Sequence, residues 1–196
     1  MATFRAVAAV SRAILKLLED GCPTDEFPDA QFELQQALDF QKSPIAEGVS
    51  LLLYRVAPTA MRRNLAPRTE VDGRRFRPPL PLDLFYALCI WGRTADVQQR
   101  LLGFCARTLD DVPVLPSGLL NHYAPEPSTF RPEETVQIVA EALSISDLHQ
   151  LLDLLRPSIP LALTYVARMV SLDSSLPIDD AAVVQTRSFE MAGGLR

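Results

Sequence analysis

At 196 residues the chain has the size of one domain, long enough to bury roughly 70% of its unfolded surface and so to fold without disulfides or metal. An apolar fraction of 48% beside 22% charged residues is ordinary for a globular protein, and no uncharged stretch is long enough to span a membrane. The net charge of -5 argues against general nucleic-acid binding, which calls for a basic excess. Cys22, Cys89 and Cys105 stand far apart with no CxxC pair, so they read as free thiols of a reducing cytoplasm. The apolar N-terminus is interrupted by Arg5, Arg12 and Lys16, and no export signal is expected there.

Along the chain, residues 3–20 place Val7, Val10, Ile14, Leu17 and Leu18 on one helical face, with Gly21 and Pro23 as stop signals. Phe32, Leu34, Leu38 and Phe40 fall at alternate positions, the period of a half-exposed strand. Residues 49–56 are apolar on nearly both faces, which predicts a buried central strand. Residues 82–91 predict a second one. Leu82, Leu84, Tyr86, Leu88 and Ile90 point one way, and Phe85, Ala87, Cys89 and Trp91 the other.

Thr94 is an N-cap for a helix to about Leu109, with Asp96 favourably placed at its positive end. Five prolines in residues 112–132 predict a long irregular loop. A strand at 135–143 follows, then a helix capped by Ser144 or Ser146 and ended by Pro157, then a strand at 161–172. The expected fold class is α+β: a single mixed β-sheet of about five strands covered by about three helices, over residues 1–173. Residues 174–196 are expected to be a C-terminal extension.

A search for reaction chemistry finds little. His122 falls in the Pro-rich loop and His149 on a helix, neither at metal-ligand spacing, so no metal or cofactor is expected. No GxSxG elbow or phosphate-binding glycine loop is present. The pairs Asp110/Asp111 and Asp179/Asp180 read as solvated carboxylates. An enzyme would have to use Asp83 or Ser50 near strand ends, and Asp83 inside an apolar strand reads more readily as a structural acceptor.

One stretch stands out. Residues 62–77 hold Arg62, Arg63, Arg68, Arg74, Arg75 and Arg77, six of nineteen basic residues, with only Glu70 and Asp72 against them. Flanking prolines predict an exposed loop, and only Phe76 interleaves, which is poor provision for stacking bases. Arginine forks favour carboxylates, so the stretch reads as a protein-binding surface. Val183 and Val184, in the alternating segment 183–188, suggest a strand that adds to a neighbour's sheet.

Two long motifs carry a family resemblance: VSLLLYRVAP at 49–58, followed by Arg63-Asn64, and RPPLPLDLFYAL at 77–88. RLLG at 100–103, PVL at 113–115 and LTYVARMV at 163–170 follow in the same order. Together they resemble the tail-terminator, or cap, proteins of extracellular contractile injection systems of the antifeeding-prophage and virulence-cassette type. The resemblance implies a non-enzymatic assembly protein that caps the distal end of tube and sheath and ends their growth. It also implies a homo-hexameric ring as the working form, with inner-tube and sheath subunits as partners and neither nucleic acid nor membrane. The expected location is the cytoplasm during assembly and then the particle. Cys89-Ile-Trp91 departs from the family's Thr-containing strand end, and some members carry a further C-terminal domain. A sheath- or baseplate-associated subunit of the same particle is the alternative.

Overall fold

The structure, a computed structural model, describes residues 4–42, 45–59, 65–70, 72–124, 128–155 and 161–178. Its frame is a pair of long antiparallel hydrogen-bonded ladders. Strand β2 (Gly48–Pro58) pairs with β5 (Leu80–Trp91), and β5 pairs with β8 (Leu161–Leu172). β1 (Gln31–Leu34) runs parallel to β2 at one edge, while β7 (Thr135–Ala140) and β6 (Val114–Pro116) complete the other. The sheet order is therefore β1-β2-β5-β8-β7-β6, a mixed sheet of six strands, and a separate two-stranded ribbon stands beside it. The α+β class is as expected, with one strand more in the main sheet.

The alternation within β5 divides the core as the sequence predicts. Leu84, Tyr86, Leu88 and Ile90 enter the larger cluster with α1 (Ala6–Gly21) and α3 (Ala95–Asp111). Ala87 and Cys89 point to the opposite face, where Phe40, Leu151 and Leu155 cover them. Helix α1 lies close to the sheet because Ala6, Ala9 and Ala13 share its buried face with Val10, Ile14 and Leu18. Its one buried polar side chain, Ser11, is satisfied by the Tyr86 hydroxyl at 2.8 Å. Thr94 caps α3 by accepting the Val97 N–H, and Ser144 caps α5 (Ile145–Leu154) by accepting that of Asp147.

Four expectations are corrected. Gly21 is the last residue of α1 and is not left-handed; the helix stops because Cys22 turns extended ahead of Pro23. The alternation at 32–40 does not make one strand, since β1 ends at Leu34. The Asp39 carboxylate accepts the Gln36 N–H and opens a short helix α2 (Asp39–Lys42), which delivers Phe40 to the sheet 5.9 Å from the Trp91 ring.

Among the described residues the Pro-rich stretch is not a loop throughout, and Pro125 and Pro127 lie outside them. Pro116 closes β6 and supplies the extended residue ahead of α4 (Ser117–Tyr123), so His122 lies on a helix and is exposed. Prolines fit there because β6 is an edge strand, and the Pro113 carbonyl still accepts the Ile138 N–H. Asn121 then closes the following turn with two hydrogen bonds to the Phe130 backbone. The arginine-rich stretch also departs from the expected loop, since two of its segments pair as the separate ribbon.

Candidate assembly interface

Part of the arginine-rich stretch is a ribbon rather than a loop. β3 (Arg68–Thr69) pairs antiparallel with β4 (Arg75–Phe76). Asp72-Gly73 supplies the turn: Gly73 adopts φ 83°, and its N–H donates to the Glu70 carbonyl. Arg74 donates its backbone N–H and its guanidinium to Asp72, which holds that carboxyl below its ordinary range. The same guanidinium also reaches Glu70 at 3.4 Å.

Arg68 turns inward. Its side chain is only 10% exposed, its guanidinium lies 4.4 Å over the Phe76 ring, and it pairs with Glu70 at 2.8 Å. Asp173, 6% exposed at the end of β8, stands 4.0 Å from Arg68 Nε and accepts from Arg131 at 2.6 Å. At that distance Nε is close enough for attraction but too far for a hydrogen bond, and it is left without a donor–acceptor partner. The Arg68–Asp173–Arg131 group thus ties the ribbon to the end of the main sheet and to the turn before β7.

The free edge of β4 is taken by the chain itself. The Arg77 N–H donates to Leu176 and the Ile178 N–H donates to Arg75, with Phe76 bridged to Pro177. Residues 176–178 therefore add to the ribbon alongside β4 through these two main-chain hydrogen bonds.

Of the eight residues the sequence singles out for partner contact, four fall in described positions. Arg74, Arg75 and Arg77 are exposed on the ribbon, and Arg68 is its internal clamp. Arg62, Arg63, Val183 and Val184 lie outside the described residues. Asp72-Gly73 is a turn signal that could have suggested the ribbon, and the reading of the stretch as a loop did not use it. Arg68's burial had no such signal.

Of the residues considered for reaction chemistry, Asp83 and Ser50 are already engaged, and Asp179 and Asp180 lie outside the described residues. Asp83 Oδ1 accepts from the Thr59 hydroxyl at 2.8 Å and the Met169 N–H at 3.2 Å, and buried Ser50 accepts from the Trp91 indole at 2.9 Å. His149 is exposed on α5. A cavity of about 790 Å³ between α3 and the β7–β8 edge contains Arg107, Asp110, Gln137 and Tyr165 but no histidine, serine or cysteine. Arg107 is already paired with Asp110 and Asp111.

The described residues thus form an α+β domain with a buried sheet and a clamped ribbon that carries exposed arginines. The chain belongs to the Pvc16 N-terminal domain family, whose model matches residues 9–186. Among solved structures it resembles the PVC sheath/tube terminator of an extracellular contractile injection system in its extended state, at 15% identity and TM-score 0.61 over 96% of the chain. It also resembles the tube terminating cap of the anti-feeding prophage, at 12% identity and TM-score 0.55 over 95% of the chain. At such identities the likeness is one of fold. The chain spans 64% and 60% of the length of those two proteins. No curated protein sequence matches it.

Proposed function

We propose that this domain is a structural terminator: it caps the distal end of the tube and sheath of a contractile injection particle and stops both from lengthening. The observation that carries the proposal is family membership across residues 9–186, joined to a fold shared over nearly the whole chain with a sheath/tube terminator and a tube cap. Its partners are other copies of itself in a closed ring, six to match a six-fold tube, and the last tube and sheath subunits. Heterologous contacts that close on themselves give a finite ring and no filament, which suits a part that must end growth. The protein acts without catalysis or cofactor, assembling in the cytoplasm and remaining in the finished particle.

The ribbon supplies a physical means. Its base is held by Arg68 and Asp173, so Arg74, Arg75 and Arg77 are presented on a stiff support, and pre-ordering lowers the entropy lost on docking. Electron microscopy of particles from a strain lacking this chain tests the reading. Tubes and sheaths of uncontrolled length are expected, and a normal length distribution would overturn it.

A further inference from the structure

The outer edge of β7 is paired along only half its length. Helix α3 ends at Asp111 and the chain enters the sheet at Val114, so β6 pairs with Thr135, Val136 and Gln137 alone. Main-chain groups alternate sides along an antiparallel ladder. The Glu141 N–H donates to Thr164 and the Ile138 N–H to Pro113, so residues 137, 139 and 141 address β8 while 136, 138 and 140 face outward. Pro113 has no N–H to return to the Ile138 carbonyl. Beyond it, the N–H and carbonyl of exposed Ala140 have no partner among the described residues.

Ile138 and Ala140 line the cavity of about 790 Å³, and across it stand Gly103 and Ala106 of α3. Glycine is second only to proline as a poor residue for a helix interior. Yet a Cβ at Gly103 would meet nothing within 4 Å, so packing inside the domain does not call for glycine there. Tyr165 of β8 also lines the cavity; it is 8% exposed, and its hydroxyl has no hydrogen-bond partner among the described residues. Burial pushes its pKa up, so the hydroxyl stays a donor. At the rim Arg107 is held by Asp110 and Asp111, which leaves no unpaired cation among the lining residues to select an acidic ligand.

We propose that this groove accepts a short, extended, uncharged segment of a partner protein as an added strand beside β7. The segment's main chain would donate to the Ile138 and Ala140 carbonyls and accept from the Ala140 N–H, continuing the sheet where β6 stops. Donors and acceptors repeating along one edge at a strand's spacing are matched by a peptide backbone, so the unpaired groups select polypeptide over nucleic acid or lipid. Gly103 and Ala106 let that backbone pass close to α3 and keep the side chains beneath the helix small. The Tyr165 hydroxyl would donate to a carbonyl of the segment. The groove is built from α3, β7 and β8 without the ribbon, and the inference does not rest on the capping role.

The test uses the full chain with an acetylated, amidated Thr-Ala-Val-Ala-Thr peptide at millimolar concentration, read by NMR of the backbone amides. Binding should shift the Ala140 amide signal and slow its hydrogen exchange. Gly103→Leu puts a side chain into the groove from an exposed helix position, so it should keep or raise the melting temperature while abolishing both effects. Ala106→Leu, on the same wall, is the second variant. A fully N-methylated form of the peptide has no N–H to donate and should leave Ala140 unchanged. No change at Ala140 with the parent peptide, or equal binding by the N-methylated peptide or by both variants, would overturn the proposal. Shifts at Ala140 that grow with protein concentration alone and vanish in Gly103→Leu would overturn it in favour of a second copy of this chain.

Discussion

Asp83 on β5 holds the backbone N–H of Met169 on β8 at 3.2 Å, at the point where β8 places two residues opposite one. Met169 takes φ 64°, a left-handed conformation that costs a non-glycine residue roughly 1–2 kcal/mol. The carboxylate compensates for that bulge and, through the Thr59 hydroxyl, ties the end of β2 to it. Asp83→Ala should therefore destabilise the domain by about 1–3 kcal/mol, and Met169→Gly in the same background should recover about 1 kcal/mol of the loss. Urea midpoints of the single and double variants measure both, and an unchanged midpoint in Asp83→Ala would remove the carboxylate from the fold's support.

The long elements were legible because burial on both faces leaves few alternatives. β5 can be read directly from Leu84, Tyr86, Leu88 and Ile90 alternating with Phe85, Ala87 and Cys89. The short elements were not, since four residues of α2 or two of β3 carry too little periodicity to override their neighbours. Prolines at 113 and 116 hid β6 and α4 because the same residue serves a loop, an edge strand or the residue before a helix. The candidate interface was legible as a cluster of arginines but not as a mixture of roles. Arg68 looks like Arg75 in sequence, and only the approach of Asp173, about a hundred residues later, turns it inward.

The thiols give a pH-dependent signature. Burial pushes Cys89 and Cys105 from an ordinary 9.0 up to about 12, and Cys22, half-buried, is raised as well. These groups stay neutral in the folded state where the unfolded chain would ionise them. Their contribution is thus fully present below about pH 9 and is lost as pH climbs from 9 toward 12. Native protein at pH 8 should take up maleimide at Cys22 first, with Cys89 and Cys105 reacting only on unfolding. Peptide mapping by mass spectrometry reads the order, and early labelling of Cys89 would contradict its place beneath α2 and α5.

The arginines of the ribbon should separate by role. Reversing Arg75 and Arg77 to Glu changes exposed side chains and should leave the thermal transition near its parent value while impairing particle termination. Arg68→Ala removes the ion pair to Glu70 and the stacking on Phe76, and should cost roughly 1–3 kcal/mol before any particle is considered. Calorimetry paired with measured particle lengths distinguishes the two. Normal lengths with Arg75 and Arg77 both reversed would exclude these side chains from capping.

The same ribbon decides where the C-terminal segment should be cut. Leu176 and Ile178 bond to the backbone of Arg77 and Arg75, so truncation after Ser174 would strip a strand from β4 and confuse folding with function. Truncation after Ile178 keeps that strand and removes Val183 and Val184, the residues whose alternation suggests addition to a neighbour's sheet. Main-chain hydrogen bonds would supply most of the affinity in such an addition, so single side-chain changes there should matter less than the cut itself. The shortened protein should melt close to the full chain yet fail to co-purify with sheath subunits. A shortened protein that still co-purified with sheath and still ended particles at normal length would remove the segment from the interface, leaving the exposed arginines of the ribbon to account for the contact.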